Sequence, residues 1–302
     1  MAINGKNIID AGRPKLIVMP LQPADGQPWD GIGLGIHFFL GNLFCAHRGL
    51  LECWFGWRVK NIFSVPGLLK AYCRGNKGFP NIRELGNREH VRFWLEGQYR
   101  QDGDKIHVFL VLHDTIVHDA KIPGIANGMP ESKIRISMEF NDGLSGFRIQ
   151  LFEWFETCGL PFPTVEKAVW TENISIQGLD FLGRALETTY LNYINGNGQD
   201  SDLIDLAWFD RAVDQSPESY LAHDLKGWGL CKNREYQMAE TAFASALDLH
   251  LHGLGALSGM MWCAVYTKNR ERALQYALAK AECRGENMEK ARTFVDKKFN
   301  NF

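Results

Sequence analysis

Two alanine-rich stretches near the C-terminal end begin 34 residues apart, and this period constrains the fold more than any other feature. Residues 239–247 read AETAFASAL and residues 273–281 read ALQYALAKA. In each stretch small and apolar residues recur at the spacing of one helical face, so a second helix can approach closely. A helix pair of this kind buries its apolar face by stacking on a neighbouring pair, which leaves a concave groove. The C-terminal part is therefore predicted to be a helical repeat with a binding surface.

The period extends towards the N-terminus, because Phe209 and Ala212 stand 34 residues before Phe243 and Ala246. Residues 178–283 resemble an array of tetratricopeptide (TPR) repeats, which are helix pairs of this length. The resemblance implies an all-α TPR-type domain, which we place at residues 161–302 with a linker at 161–172 and a capping helix at 291–302. The segment KNRE recurs after 36 residues, at 232 and 268, so the register of the last unit stays open.

The TPR resemblance implies that the first helix of each pair faces a protein or peptide partner. The residues predicted to make these contacts are Asp224, Trp228, Trp262 and Tyr266. Trp228 and Trp262 are also 34 residues apart. Core packing is the alternative for both, since tryptophan is usually well buried in a small helical array.

The N-terminal half alternates strand-like and helix-like segments, which is typical of an α/β domain. Residues 15–21 form a continuous apolar run, the pattern of a strand buried on both faces. Residues 30–47 have helical periodicity despite four glycines. An Asp-Gly turn between residues 91–100 and 105–113 predicts a hairpin. Alternation in its second strand places residues 106, 108, 110 and 112 on one buried face.

The hairpin also carries a resemblance. Residues 91–108, VRFWLEGQYRQDGDKIHV, and residues 16–20 resemble the TolB-like N-terminal domain, over about residues 14–122. The resemblance implies a mixed sheet with packed helices, which we place at residues 1–160. Such domains accompany bacterial cyclases, kinases and transcription regulators, so it also implies a sensory or assembly role.

No set of residues in the sequence predicts catalysis. Gly31, Gly33 and Gly35 follow the first strand, but the third glycine of a dinucleotide site and the lysine of a P-loop are missing. Tight packing of a helix on a sheet explains these glycines. His113–Asp114 and residues 118–119 are more typical of turns and surfaces than of a metal or acid–base site. The seven cysteines lack a Cys-x-x-Cys pair and are interpreted as buried thiols. We expect no enzyme activity, no cofactor and no metal.

A basic segment at residues 58–92, interleaved with aromatic residues, offers a second class of function. Its cations are Arg58, Lys60, Lys70, Arg74, Lys77, Arg83, Arg88 and Arg92. Such a surface suits single-stranded nucleic acid. The formal net charge of −2 disfavours it, because the chain has no overall field that attracts a polyanion.

Composition sets the remaining expectations. The 302 residues are 45% hydrophobic and 23% charged, enough for two cores, and no apolar run reaches the roughly 20 residues of a membrane span. Residues 1–14 lack the apolar centre of a signal peptide, so a bacterial cytoplasmic location is expected. The sequence thus predicts a non-enzymatic scaffold or sensory protein that binds a partner through a TPR groove. A small-ligand sensor with the array as transmitter is the alternative, and a homo-oligomer is left open.

Overall fold

The computed structural model describes residues 15–24, 30–45, 52–55, 93–114, 131–158, 171–195 and 204–300. The strands are β1 (Lys15–Val18), β2 (Gln22–Pro23), β3 (Glu52–Phe55), β4 (Phe93–Asp102), β5 (Lys105–Asp114) and β6 (Glu131–Glu139). Helix α1 (Ile32–Cys45) lies between β2 and β3, and a 3₁₀ turn (Phe140–Asp142) leads from β6 into α2 (Ser145–Thr157). The later helices are α3 (Ile176–Asn195), α4 (Ala207–Gln215), α5 (Tyr220–Lys232), α6 (Tyr236–Leu249), α7 (Leu254–Tyr266), α8 (Arg270–Arg284) and α9 (Met288–Phe299).

The six described strands form one mixed sheet. Its order is β3-β1-β4-β5-β6, and the short β2 also pairs with β4. Strand β1 runs parallel to both β3 and β4, whereas β4, β5 and β6 are antiparallel. A mixed sheet with packed helices, followed by a run of seven packed helices, confirms the predicted α/β part and all-α part at this level. The division at residue 160 stays a prediction.

The hairpin of β4 and β5 is confirmed. Asp102 pairs with Lys105 across the turn residues Gly103 and Asp104, and Gly103 has a φ of 61°. That left-handed conformation suits glycine, which has no Cβ. The four residues predicted to share a face are all buried in the core, at exposures of 0–2%: Ile106, Val108, Leu110 and Leu112.

Helix α1 packs against α3, from the other half of the chain, through backbone contacts. The Gly31 amide donates a hydrogen bond of 2.7 Å to the Asp180 carboxylate. A β-carbon added to Gly183 would lie 1.7 Å from the carbonyl oxygen of Gly31. One at Gly35 would lie 2.4 Å from the Leu179 carbonyl oxygen. Gly31 and Gly35, which were predicted to pack α1 tightly on a sheet, thus instead face a helix about 150 residues further along the chain.

Substituting Gly183 by alanine should destabilise the protein by about 2–3 kcal/mol. Alanine favours a helix over glycine by about 1 kcal/mol. Overpacking against a backbone oxygen outweighs this gain, because neither backbone can move without disturbing a packed helix. Urea unfolding followed by circular dichroism measures the difference. Gln177→Ala on the exposed side of α3 is the matched control and should stay within about 0.5 kcal/mol. Equal stability of Gly183→Ala and wild type would contradict the close approach.

The helices after α4 stack in sequence, with α5 on α6, α6 on α7 and α7 on α8. The fully buried ring of Phe243 lies against Gly227 of α5 and Gly259 of α7, so one side chain of α6 contacts both neighbours. The last helix, α9, packs mainly on α8. It begins at Met288, three residues before the predicted start of the capping helix.

Several predicted segments lie outside the described residues. They include the basic segment at 58–92, residues 118–119 and most of the linker at 161–172. No helix in the described part of the chain is long and apolar enough to cross a membrane.

Candidate functional site

A cleft of about 610 Å³ lies between α7, α8 and α9. It exists because α9 packs on α8 and only lightly on α7, so the apolar side of α7 is incompletely covered. Its wall combines apolar and cationic side chains from all three helices. Those used below are Met261, Trp262, Ala277, Lys280, Lys290 and Phe294.

Four aromatic side chains run along this edge of the helical part, and we call them the aromatic ladder: Tyr236, Tyr266, Trp262 and Phe294. The rings of Tyr236 and Tyr266 stack with centroids 4.9 Å apart, and Tyr266 stacks on Trp262 at 5.8 Å. Trp262 meets Phe294 edge to face at 5.9 Å. Tyr266 is 49% exposed and Phe294 is 40% exposed. The ladder is therefore a surface of large aromatic rings that stacking holds in place and that a ligand can reach.

Local sequence fixes the position of α9 and so of Phe294. Helix α8 ends at Gly285, which has a φ of 62°, and the chain then reverses within two residues. The Asn287 side chain caps α9 by accepting from the amides of Glu289 and Lys290. Arg270 of α8 donates to Asp296 of α9, with Nε 3.1 Å from the carboxylate oxygen. These contacts hold the cleft open on one side.

The charges around the cleft are mainly positive. Lys298 places Nζ 5.2 Å from the centroid of Trp262 and 5.5 Å from that of Phe294, a cation–π arrangement. Lys280 donates to the Ser258 hydroxyl at 2.9 Å. Lys290 also lines the wall. The carboxylate of Glu286 in the lining is 2.7 Å from Arg284, which offsets its charge. The cleft thus offers ring faces together with lysine ammonium groups.

The structure brings two of the four predicted contact residues together, Trp262 and Tyr266. Trp228 lies on α5, where its ring packs edge to face on Phe243 at 5.5 Å, and it does not line the cleft. Asp224 is 2% exposed, with its carboxylate against Gly255 in the first turn of α7. Negative charge at that position complements the positive end of the helix. Asp224 does not line the cleft.

The glycine-rich start of α1 already carries carboxylates of the chain itself. Asp180 accepts from the Gly31 amide, and Asp30 accepts from the Ile32 amide at 2.8 Å. Tyr99 also donates to Asp30. Burial raises the pKa of Asp30, against the hydrogen bond from Tyr99. Carboxylates of the chain itself therefore accept the hydrogen bonds of the first amides of α1.

The predicted basic surface, residues 58–92, lies outside the described residues.

A buried polar cluster joins the end of the sheet part to the helical part, and we call it the junction cluster: Arg148, Glu172, Ser219 and Asp224. Glu172 is fully buried, and its Oε2 accepts from the Leu221 amide at 3.1 Å, in the first turn of α5. Ser219 caps α5 by accepting from the Ala222 amide at 3.0 Å. Two buried groups thus complete the N-terminus of one helix.

Burial dominates the acid–base behaviour of these interior groups. It raises the pKa of Glu172 to about 7, although hydrogen bonds from Ser219 and Leu221 and the charge of Arg148 act in the opposite direction. Burial lowers the pKa of His37, on α1, to about 3. It also lowers the pKa of His250, which follows α6, to about 4.

Among the described residues, no group of three potential ligands could hold a metal ion.

No protein-family model matches this sequence, and no curated protein matches it. Function is therefore inferred from the geometry of the described residues.

Sequence reasoning missed the contribution of α9. The sequence does carry a signal for this contribution, because an aromatic residue flanked by lysines on the last helix is a visible pattern: Phe294 between Lys290 and Lys298. The predicted capping helix at 291–302 contains Phe294 and Lys298 but not Lys290. The junction cluster gave no comparable signal, since Arg148, Glu172 and Asp224 are ordinary charged residues until tertiary packing buries them.

Proposed function

We propose that this chain is a non-enzymatic scaffold or sensory protein whose helical part binds a protein or peptide segment in the cleft between α7, α8 and α9. The observation that carries the proposal is the aromatic ladder with its exposed Tyr266 and Phe294. We also propose that the helical part is a TPR-type array and the sheet part a TolB-like domain. The 34-residue period, and a mixed sheet followed by a run of packed helices, support these assignments.

The dimensions and chemistry of the cleft favour binding of a few side chains of a larger partner. Its volume of about 610 Å³ lies within the usual range of ligand sites. Large rings that are held in place by stacking lose little conformational freedom on binding. Trp262 and Phe294 also give the cleft two aromatic faces that meet at a right angle. Aromatic residues of this kind dominate the binding energy of protein interfaces.

The proposal predicts that Phe294→Ala weakens peptide binding about tenfold, which is about 1.4 kcal/mol. A displayed library of random peptides is first selected on the intact wild-type protein. The best labelled peptide is then titrated with each variant by fluorescence anisotropy. Leu251→Ala removes an even more exposed apolar side chain, 72% exposed and outside the cleft lining, so it is the matched control and should bind within twofold of wild type.

Circular dichroism verifies that both variants are folded. Selection of no peptide above background would contradict the proposed function. Equal affinity of Phe294→Ala and wild type would show that binding occurs elsewhere on the molecule.

A further inference from the structure

Two cysteine thiols from different helices face each other at the base of the aromatic ladder. Cys231, at the end of α5, and Cys263, in α7, have their sulfur atoms 3.2 Å apart and share a hydrogen bond. Cys263 is fully buried, whereas Cys231 is half-buried. A disulfide bond is about 2.05 Å long, so the sulfurs need to approach by only about 1 Å to become bonded.

We infer that Cys231 and Cys263 form an intramolecular disulfide when the protein meets a low-molecular-weight disulfide such as oxidised glutathione. The Cys231 thiolate first attacks one sulfur of the reagent, breaking its S–S bond and releasing one thiolate. The Cys263 thiol then attacks the Cys231 sulfur, which breaks the mixed disulfide, and the Cys263 proton passes to the departing sulfur, which leaves as the second thiol. In sum, two protein thiols are oxidised and one small disulfide is reduced to two thiols.

Exposure and hydrogen bonding assign the order of the two steps. Cys231 is the sulfur that an external reagent can reach. The hydrogen bond to Cys231 and the burial of the thiol raise the pKa of Cys263, so Cys263 keeps its proton and can donate it to the Cys231 thiolate. Cys231 is therefore the attacking residue and Cys263 the resolving residue.

The bond would join α5 to α7, the first helices of two successive pairs. These helices carry Trp228, and Trp262 with Tyr266. The disulfide closes a loop between residues 32 positions apart, which restricts the unfolded chain. It also prevents α5 and α7 from separating at the base of the ladder. This inference holds whether or not the cleft binds a peptide.

Peptide mapping by mass spectrometry tests the inference. The full-length protein is incubated with oxidised glutathione, its thiols are blocked, and it is digested without reductant. The expected product is a linked peptide pair containing Cys231 and Cys263, lighter by two hydrogen atoms than the sum of the reduced peptides. The oxidised protein should also have a Tm higher by several degrees, and a thiol reductant should reverse this rise. Cys158 and Cys283 serve as internal comparisons.

Single substitutions separate the two roles. Cys263→Ser should trap a glutathione adduct on Cys231, because no resolving thiol remains. Cys231→Ser should leave Cys263 unmodified while the protein is folded, as judged by circular dichroism. A wild-type adduct on Cys231 without the linked pair, or linkage of Cys231 to another cysteine, would overturn the inference. The wild-type mapping decides the matter even if a variant fails to fold.

Discussion

Lowering the pH from 6.5 to 3 should remove about 4 kcal/mol of stability through His37 alone. The side chain is buried in α1, and burial lowers its pKa from 6.5 to about 3. Below pH 6.5 the unfolded chain therefore binds a proton that the folded protein excludes. The contribution of His37 is complete above pH 6.5 and is lost as the pH falls towards 3.

Urea unfolding at a series of pH values measures this effect. In His37→Gln the slope of the unfolding free energy against pH should fall by about 1.4 kcal/mol per pH unit between pH 6.5 and 4, which corresponds to one proton. Asn42→Ala, on the same helix, removes no titratable group and should leave the slope unchanged. An unaltered slope in His37→Gln would mean that this histidine is protonated in the folded protein.

Glu172 should have the opposite effect, and Glu172→Gln is expected to stabilise the protein by about 3 kcal/mol at pH 8. Burial raises the pKa of this carboxyl from 4.5 to about 7, so the folded protein holds a proton that the unfolded chain releases. The resulting stability is present below pH 4.5 and is lost as the pH rises to 7. Glutamine resembles the protonated form and keeps an acceptor for the Leu221 amide.

Wild type and Glu172→Gln should unfold at similar urea concentrations at pH 4. As the pH rises to 8, Glu172→Gln should need more urea to unfold than wild type. Chemical denaturation at both values gives the difference directly. Gln177→Ala is again a suitable control, because it lies five residues after Glu172 in the sequence and is exposed. Destabilisation by Glu172→Gln at pH 8 would show that the attraction between the Glu172 carboxylate and the charge of Arg148 outweighs the cost of burying that carboxylate.

The two effects overlap between pH 4.5 and 6.5, where His250 acts in the same direction as His37. Two histidines then make stability rise with pH while one glutamate makes it fall. Together, these three groups give the wild type a slope of unfolding free energy against pH that corresponds to one proton. Removing His37 should bring that slope near zero, and removing Glu172 should double it. The contributions of His37 and Glu172 to the pH dependence of stability are thus seen separately only in the single variants.

Local patterns predicted the elements of this fold well. The hairpin of β4 and β5 follows from a turn and an alternation that lie within a few residues of each other. The period of the last helices follows from repeated small residues, such as Ala239 and Ala273. In both cases, the determining contacts are close in sequence or recur at a fixed spacing.

Contacts between distant segments could not be predicted in the same way. The glycines of α1 were expected to reflect tight packing, but nothing near them indicates Gly183 as the partner. Glu172 becomes unusual only because α5 begins beside it. The cleft itself depends on α9 packing on α8 rather than α7, and no single residue type encodes that choice.

The contact between Gly31 and Asp180 has a consequence for synthesis on the ribosome. The two residues are 149 positions apart, so α1 emerges long before the helix that covers it. At typical translation rates the delay is roughly 7–30 s. During that time the exposed side of α1 is a natural target for chaperones. A nascent chain halted at residue 160 should therefore be more prone to aggregation than the complete protein.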